Sequence, residues 1–470
     1  MQIFSLTLAG LFFAALQIVI TVHIILFKED VKSAIGWTGL VWFAPVIGTI
    51  VYITFGINRI KRKAARLRNS GPSVLNISTG LNINIEKQLP QQFLQLLKLG
   101  YNVHPQYFTL TNKISPLLNG DEAYPQMCAA ISAATKEVLL ASYIFDNDAA
   151  GAMFIKALKA AVKNGAKAKI LLDGVGLRQG RKPYIEKELK KIKGLQYAVF
   201  LPVRAALPFV NLRNHRKILI TDGQTAFFGG MNISAHNLLK IRPQNPVADI
   251  TFKIEGPVIE QISGLFLQDW VFASKKHFTP AAFAKSPEPA GTTACRIVPD
   301  GPDNDYGKIE LINLAALNSA QKSVTIVTPY FLPQNTILTA LEMASMRGVN
   351  VEIILPKKSN ILGMDYAMAA NFNKLIKKGV KIYLTNPPFD HSKFMLADDI
   401  WVFAGSSNWD ERSFKLNFEG NIEIADRALC SSLKEIAESK KTNASLLRAK
   451  NISVFKRLRN NALRLLTPYY

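Results

Sequence analysis

Apolar positions along this 470-residue chain fall into two regimes. Residues 1–27 and 33–58 carry no formally charged side chain. Each run exceeds the roughly 20 residues that cross a bilayer as a helix. Only "KEDVK" separates them, which predicts a tight helical hairpin with both chain ends on one side of a membrane. Trp37, Trp42 and Tyr52 suit positions near the interfaces, and Pro45 predicts a kink in the second span. A cleaved signal peptide is the competing reading of the first run, but it lacks a basic start and a clear small-residue cleavage site. Beyond residue 89 the pattern changes to helix-period stretches that stop at glycine and run into short apolar strands, as in "ALKAAVKNGAKAKILLD" (157–173). Alternation of this kind predicts an α/β fold with a parallel or mixed sheet flanked by helices.

The second regime is duplicated. "SAATKEVLLASYIF" (132–145) parallels "NSAQKSVTIVTPYF" (318–331), and "ALEMASMRGVNVEIILP" (340–356) parallels the stretch quoted above. Repeats this long predict two α/β lobes rather than a solenoid of short units. Each contains a string in which charge intrudes on apolar strands. In "NLRNHRKILITDGQTAFFGGMNIS" the runs "ILI" and "AFF" predict two strands joined by a turn at "TDGQ", yet His215 and Lys217 occupy positions that a bland strand pair would give to aliphatics. "DHSKFMLADDIWVFAGSSNWDERSF" repeats the pattern with His391, Lys393 and Asp398 against His215, Lys217 and Asp222. Both strings end alike, at Asn232 and Asn408. Two of only six histidines heading the same His-x-Lys-x4-Asp string is a poor accident. One set per lobe predicts that the two meet at the lobe interface.

Charge narrows the partners. The net charge of +23 favours an anionic partner without choosing between nucleic acid and acidic lipid. The membrane hairpin makes that choice, so a lipid partner is expected and nucleic acid is not. "RIKRKAARLR" directly after the hairpin holds six cations and no acid, which places that end and the body behind it in the cytoplasm by the positive-inside rule. Cys128, Cys295 and Cys430 are few and odd in number and have no metal spacing, as in a reducing compartment. The expected organisation is 1–58 spans, 59–89 basic segment and linker, 90–285 first lobe, 295–438 second lobe, with a Pro/Gly/Thr seam between the lobes. Residues 439–470 carry eight cations and no acid and predict a basic amphipathic helix. It either lies on an anionic leaflet or closes the second lobe's core. "FLPVRAALPFVN" (200–211) reads equally as a buried strand or an apolar lip meeting lipid. "DGVGLRQG" (173–180) has a misplaced third glycine for a dinucleotide loop, and no Gly-Lys-Ser/Thr phosphate loop is present. His23, His104, His236 and His277 belong to no constellation and read as structural. Asp146 and Asp148 read as caps of a helix near Gly151.

The doubled His-x-Lys-x4-Asp string, each followed by Gly-Gly/Ser-x-Asn, resembles the phospholipase D superfamily. Supported by "WFAPVIGTIVYITFGINR", "ASYIFDNDAAG", "TPYFLP" and "ERSFKLNFE", the chain is similar over nearly its whole length to bacterial cardiolipin synthases. The resemblance implies a membrane-bound phosphatidyltransferase that makes cardiolipin from two phosphatidylglycerol molecules with release of glycerol, through a phosphatidyl-histidine intermediate. It implies no cofactor, and no metal-ligand cluster is visible. A hydrolase with water as acceptor is the nearest alternative, followed by a tethered nuclease and a non-catalytic lipid-binding scaffold. Oligomeric state is left open. Attack on an anionic phosphodiester needs its oxygens neutralised, which Lys217 and Lys393 are placed to do, with Asn232 and Asn408 adding hydrogen bonds. One neutral histidine attacks phosphorus and the other, protonated, serves the leaving and incoming alcohols; the family's order makes His215 the nucleophile. The resemblance also gives Asp249 and Glu419 the task of orienting the histidines, Glu419 with His215 and Asp249 with His391. Where many relatives have an aromatic-Arg pair before that aspartate, this chain reads "NPVAD", which bears on donor and acceptor choice. Asp222 and Asp398 are catalytic by motif, but each begins a turn, where a structural role fits as well.

Overall fold

The computed structural model describes the chain except Met1, Glu29, 57–90, Arg181, 204–211 and 466–470. The expected linker at 59–89 and most of the apolar loop at 200–211 therefore lie outside the described residues. Residues Met1–Arg66 and Leu67–Tyr470 form two separate compact units.

In the first unit a helix runs Gln2–Phe27. The second apolar run is not one helix: Val31–Phe43 ends at Ala44, and Pro45–Val51 follows, continued by a wider turn over Tyr52–Gly56. Proline disfavours helical backbone in the residue before it, and Ala44 accordingly leaves the helix at φ −133°, ψ 73°. The expected kink is thus a break. Among the described residues no helix is long and apolar enough to cross a membrane. Gln17 donates to the Val41 carbonyl (2.8 Å), and His23 shares a hydrogen bond with the Tyr52 hydroxyl (2.8 Å), which ties the two apolar runs together. His23 is structural here, as its lack of a partner motif predicts.

The second unit is built on one sixteen-stranded mixed sheet whose strand order exposes the duplication. Its centre is the antiparallel pair Thr109–Leu118 and Thr293–Asp300, one strand from each repeat. Moving outward on the first side come Ile250–Glu255, Thr225–Gly229, Lys217–Thr221, Glu137–Ser142, Lys167–Asp173 and Gln196–Phe200. On the other side come Asn417–Ala425, Trp401–Gly405, Phe394–Ala397, Ser323–Val327, Asn350–Pro356 and Lys381–Thr385, in the same order. In each half the outer three strands are parallel and the inner ones antiparallel. Apolar clusters fill each half, around Ile170, Phe154 and Leu219 in the first and Ile353, Leu341 and Trp401 in the second. The two repeats therefore share a sheet as well as an interface.

Two flanking pieces cross from one half to the other or extend an edge. Helix Gln91–Val103 precedes the first repeat in sequence but packs Phe93 and Leu96 into the second repeat's core. Past helix Arg427–Thr442 the strand Ala444–Leu446 adds antiparallel to the sheet edge, and a last helix runs Val454–Arg464. The "TDGQ" turn forms as expected. Asp222 and Gly223 both have positive φ (52° and 68°) in the three-residue loop between the paired Thr221 and Thr225. A side chain at Gly223 would also collide with the backbone of Ala282. Asp148 caps helix Ala149–Lys163 by accepting from the Gly151 N–H.

Candidate active site

Each histidine sits at the mouth of its strand, just before the regular ladder begins, and each is pinned by the other repeat. Arg213–Asn214 pairs in parallel with Asn417–Phe418, so the His215 N–H donates to the Phe418 carbonyl (2.9 Å). Phe389–Asp390 pairs the same way with Val247–Ala248, and the His391 N–H donates to the Ala248 carbonyl (2.7 Å). Each bridge ends one residue before the carboxylate that receives the imidazole. His215 Nδ1 lies 3.1 Å from Glu419 Oε2, and His391 Nδ1 lies 2.8 Å from Asp249 Oδ2. The pairing is crosswise between repeats. All four side chains are buried, and His215 and His391 line one pocket of about 510 Å³.

Electrostatics fixes the resting protonation. Burial pushes the Glu419 carboxyl up, but His215, Lys217 and the Ser406 hydroxyl outweigh it and hold the group below its usual range. Burial lowers His215 to about 4 against the opposing pull of Glu419. A neutral imidazole beside a carboxylate donates its Nδ1 proton to it, leaving the Nε2 lone pair free. Burial and Lys393 likewise lower His391, against Asp249. Both lysines are buried beside their histidines. Lys217 Nζ donates to the His215 carbonyl (2.6 Å), and Lys393 Nζ donates to the His391 carbonyl (2.6 Å) and sits 3.0 Å from its Nδ1. Burial brings Lys217 down to about 7 and Lys393 to about 8. A Cβ at Gly230 would come within 3.2 Å of Lys393 Nζ and 3.4 Å of Asp249 Oδ1, so glycine leaves that space to the ammonium. Ser406 stands at the matching place in the other repeat and uses its hydroxyl on Glu419.

The remaining motif residues divide. Asn232 and Asn408 line the pocket. Asn232 Oδ1 accepts from the Ile144 N–H (3.2 Å), whereas Asn408 Oδ1 is buried without a partner. Asp222 and Asp398 are not brought to the pocket. They stand at the far ends of their strands, where Asp222 accepts from the N–H groups of Thr135, Lys136 and Glu137 and Asp398 from those of Gln321, Lys322 and Ser323. Of the two readings of these aspartates, the geometry matches the structural one.

Several pocket residues escape the motif reading. Tyr143 and Tyr330 set their rings edge-on to His215 and His391, with centroids 5.1 and 6.3 Å away. They stand one position apart in the duplicated "SYIF" (142–145) and "TPYF" (328–331), so the repeat marks the neighbourhood but not the residues. Arg213 and Arg412 add cationic lining. Arg216, between His215 and Lys217, faces away from the pocket. It is fully buried, pairs with Asp269 and donates to the carbonyls of Glu419 (2.8 Å) and Asp300 (3.0 Å). It therefore fixes the strand that carries Glu419. Among the described residues no group of three or more His, Cys, Asp or Glu could hold a metal ion.

A doubled α/β sheet with two histidine-lysine sets converging on one pocket defines a class of phosphoryl-handling fold built from paired repeats. The chain belongs to the cardiolipin synthase, phospholipase D-like domain family, whose model matches residues 127–270 and 314–441. A phospholipase D-nuclease N-terminal model matches residues 15–56. The chain is 30% identical to a cardiolipin synthase of Clostridium perfringens over 94% of its own length and 95% of that protein's. It is 31% identical to a cardiolipin synthase of Geobacillus kaustophilus, over 88% and 84% of the two chains. Among solved structures, a phosphatidylserine synthase of Haemophilus influenzae superposes with a TM-score of 0.63 at 14% identity, over 80% of this chain and 99% of that one, which shows a shared fold.

Proposed function

We propose that the protein is a membrane-bound phosphatidyltransferase that converts two phosphatidylglycerol molecules into cardiolipin and glycerol. The observation that carries the reading is the crosswise pair of histidine-carboxylate contacts, each beside a buried lysine, in a chain similar over nearly its whole length to cardiolipin synthases. His215 Nε2 attacks the donor's phosphorus, and the bond from phosphorus to the glycerol oxygen breaks. His391 gives its proton to that oxygen, and glycerol leaves. The terminal hydroxyl of a second phosphatidylglycerol then returns a proton to His391 as its oxygen attacks phosphorus. The P–N bond breaks and cardiolipin is released. One phosphodiester replaces another, so no nucleotide is consumed. Burial favours the neutral form of both histidines. A bound phosphodiester brings the negative charge that lets His391 carry a proton. Lys217 and Lys393 clamp the phosphoryl oxygens throughout. Asn232 and Asn408 complete the clamp, Asp249 and Glu419 orient the imidazoles, and Asp222 and Asp398 hold the strand turns.

The apolar runs at 1–58 anchor the enzyme, with the body after Arg59 on the cytoplasmic side.

Purified protein given labelled phosphatidylglycerol should yield cardiolipin and free glycerol in equal amounts. Phosphatidic acid as the main product would make the protein a hydrolase and overturn the reading. Because lysines supply the positive charge, EDTA should leave the rate unchanged. A loss restored by one divalent ion would show that a metal takes part.

A further inference from the structure

The helix Val454–Arg464 is mounted the reverse way round for a helix that closes a core. Its polar residues face the protein: Asn460 is buried, Arg464 donates to Asn371 (2.9 Å), and the Arg459 guanidinium stacks on Tyr366 at 3.6 Å. Leu463 alone adds apolar packing against the second repeat. The apolar stripe points to solvent, with Val454 78%, Phe455 84%, Leu458 65% and Leu465 78% exposed. The mounting is firm, because Asn373 grips the backbone of Lys450 through both its carbonyl (2.7 Å) and its N–H (3.2 Å).

The support beneath this helix leads to the pocket. Helix Met364–Lys377, on which it lies, begins at Met364, and Met364, Ile361 and Asn360 line the space beside His391. Between them Leu362 stands 96% exposed, and Tyr366, under Arg459, is also exposed. An apolar strip thus runs from the pocket's rim out along the last helix. Arg457 adjoins Leu458 in the chain, and Lys456, Arg448 and Lys450 add cations to the same segment, with no acid after Glu438.

We propose that this strip is a second membrane contact, separate from the apolar hairpin, by which the pocket's rim is laid on an anionic leaflet. An interfacial helix inserts apolar side chains among the acyl chains while flanking cations meet acidic headgroups. The outward stripe and the cations of its segment are complementary to that surface, whereas a protein partner would not require the one-signed charge. The inference rests on the proposed reading only in taking the substrate from a bilayer.

The test uses full-length protein in vesicles. Cys128→Ser removes the only thiol that is not buried, and Phe455→Cys then carries an environment-sensitive dye. The dye should shift to the blue in phosphatidylglycerol/phosphatidylcholine vesicles and not in phosphatidylcholine alone. Val454→Glu with Leu458→Glu should abolish that shift. The same double variant should turn over phosphatidylglycerol in vesicles about tenfold more slowly, and a dispersed short-chain phosphatidylglycerol within about twofold of wild type. An unchanged spectrum in anionic vesicles, or equal loss on both substrates, would overturn the proposal. So would dye-to-dye quenching that is independent of lipid, which would assign the strip to a second copy of the chain. The spectral arm reads contact whether the enzyme transfers or hydrolyses, so the two readings fail separately.

Discussion

The two histidines share a pattern but not an environment. Glu419 accepts from His215, the Ser406 hydroxyl and Asn417, so it remains an anion that holds the Nδ1 proton and leaves Nε2 as the attacking atom. Asp249 lacks the hydroxyl, because Gly230 stands where Ser406 does, and Lys393 lies against the His391 ring instead. Rapid quench with labelled lipid should therefore find an acid-labile phosphoryl adduct on the His215 peptide. An adduct on the His391 peptide would exchange the roles and keep the scheme, whereas no adduct with inverted phosphorus would end it. The pH profile follows from the same groups. His215 must be neutral, so kcat/KM falls as pH drops towards about 4; His391 must carry a proton, so kcat/KM also falls as pH rises through the lowered His391 value, and loss of charge on Lys217 and Lys393 deepens that fall through about 7 to 8. A kcat/KM that climbs through pH 8 would remove the lysines from the phosphate clamp.

At the scale of elements, the site depends on parts that never touch substrate. Arg216 is the buried tie between the His215 segment and the strand carrying Glu419. Arg216→Met leaves Asp269 buried without its cation, a loss of about 3–5 kcal/mol for one broken buried pair, and it should lower both the unfolding midpoint and turnover. Asp222 acts at the opposite end. Backbone N–H groups outweigh its burial and hold its carboxyl below the usual value, so its contribution is present above the ordinary carboxylate range and is lost as pH falls through the lowered one. Asp222→Ala should cost about 1–3 kcal/mol while leaving turnover at permissive temperature within about twofold of wild type. A complete loss of activity in a folded variant would return Asp222 to the chemistry. The sequence showed the turn under Asp222 because positive-φ positions leave a composition trace. It did not show the bridges Arg213–Asn214 to Asn417–Phe418 and Phe389–Asp390 to Val247–Ala248, since two-residue pairings have no period to read. Pro45 was read as a bend, and a break differs from a bend only through the backbone at Ala44.

For the whole molecule, duplication is what made the site legible. A string seen twice at matched places survives loop variation, which is why His215, Lys217, His391 and Lys393 stood out while Arg213, Arg216 and Arg412, which have no counterpart in the other repeat's string, did not. The shared sheet was not legible, because the pairing of Thr109–Leu118 with Thr293–Asp300 lies between strands whose patterns match any buried strand. That central pair has a consequence for stoichiometry. Each imidazole takes its carboxylate from the other repeat of the same chain, beside a short bridge between repeats: Arg213–Asn214 with Asn417–Phe418 for one, Phe389–Asp390 with Val247–Ala248 for the other. One chain then contains a whole site. Co-reconstituting His215→Ala with His391→Ala chains, each inactive alone, should restore no cardiolipin synthesis, because every pocket still lacks one imidazole. Recovery approaching a quarter or more of wild-type activity, as about statistical exchange of repeats between chains would give, would mean that the crosswise contacts form between molecules.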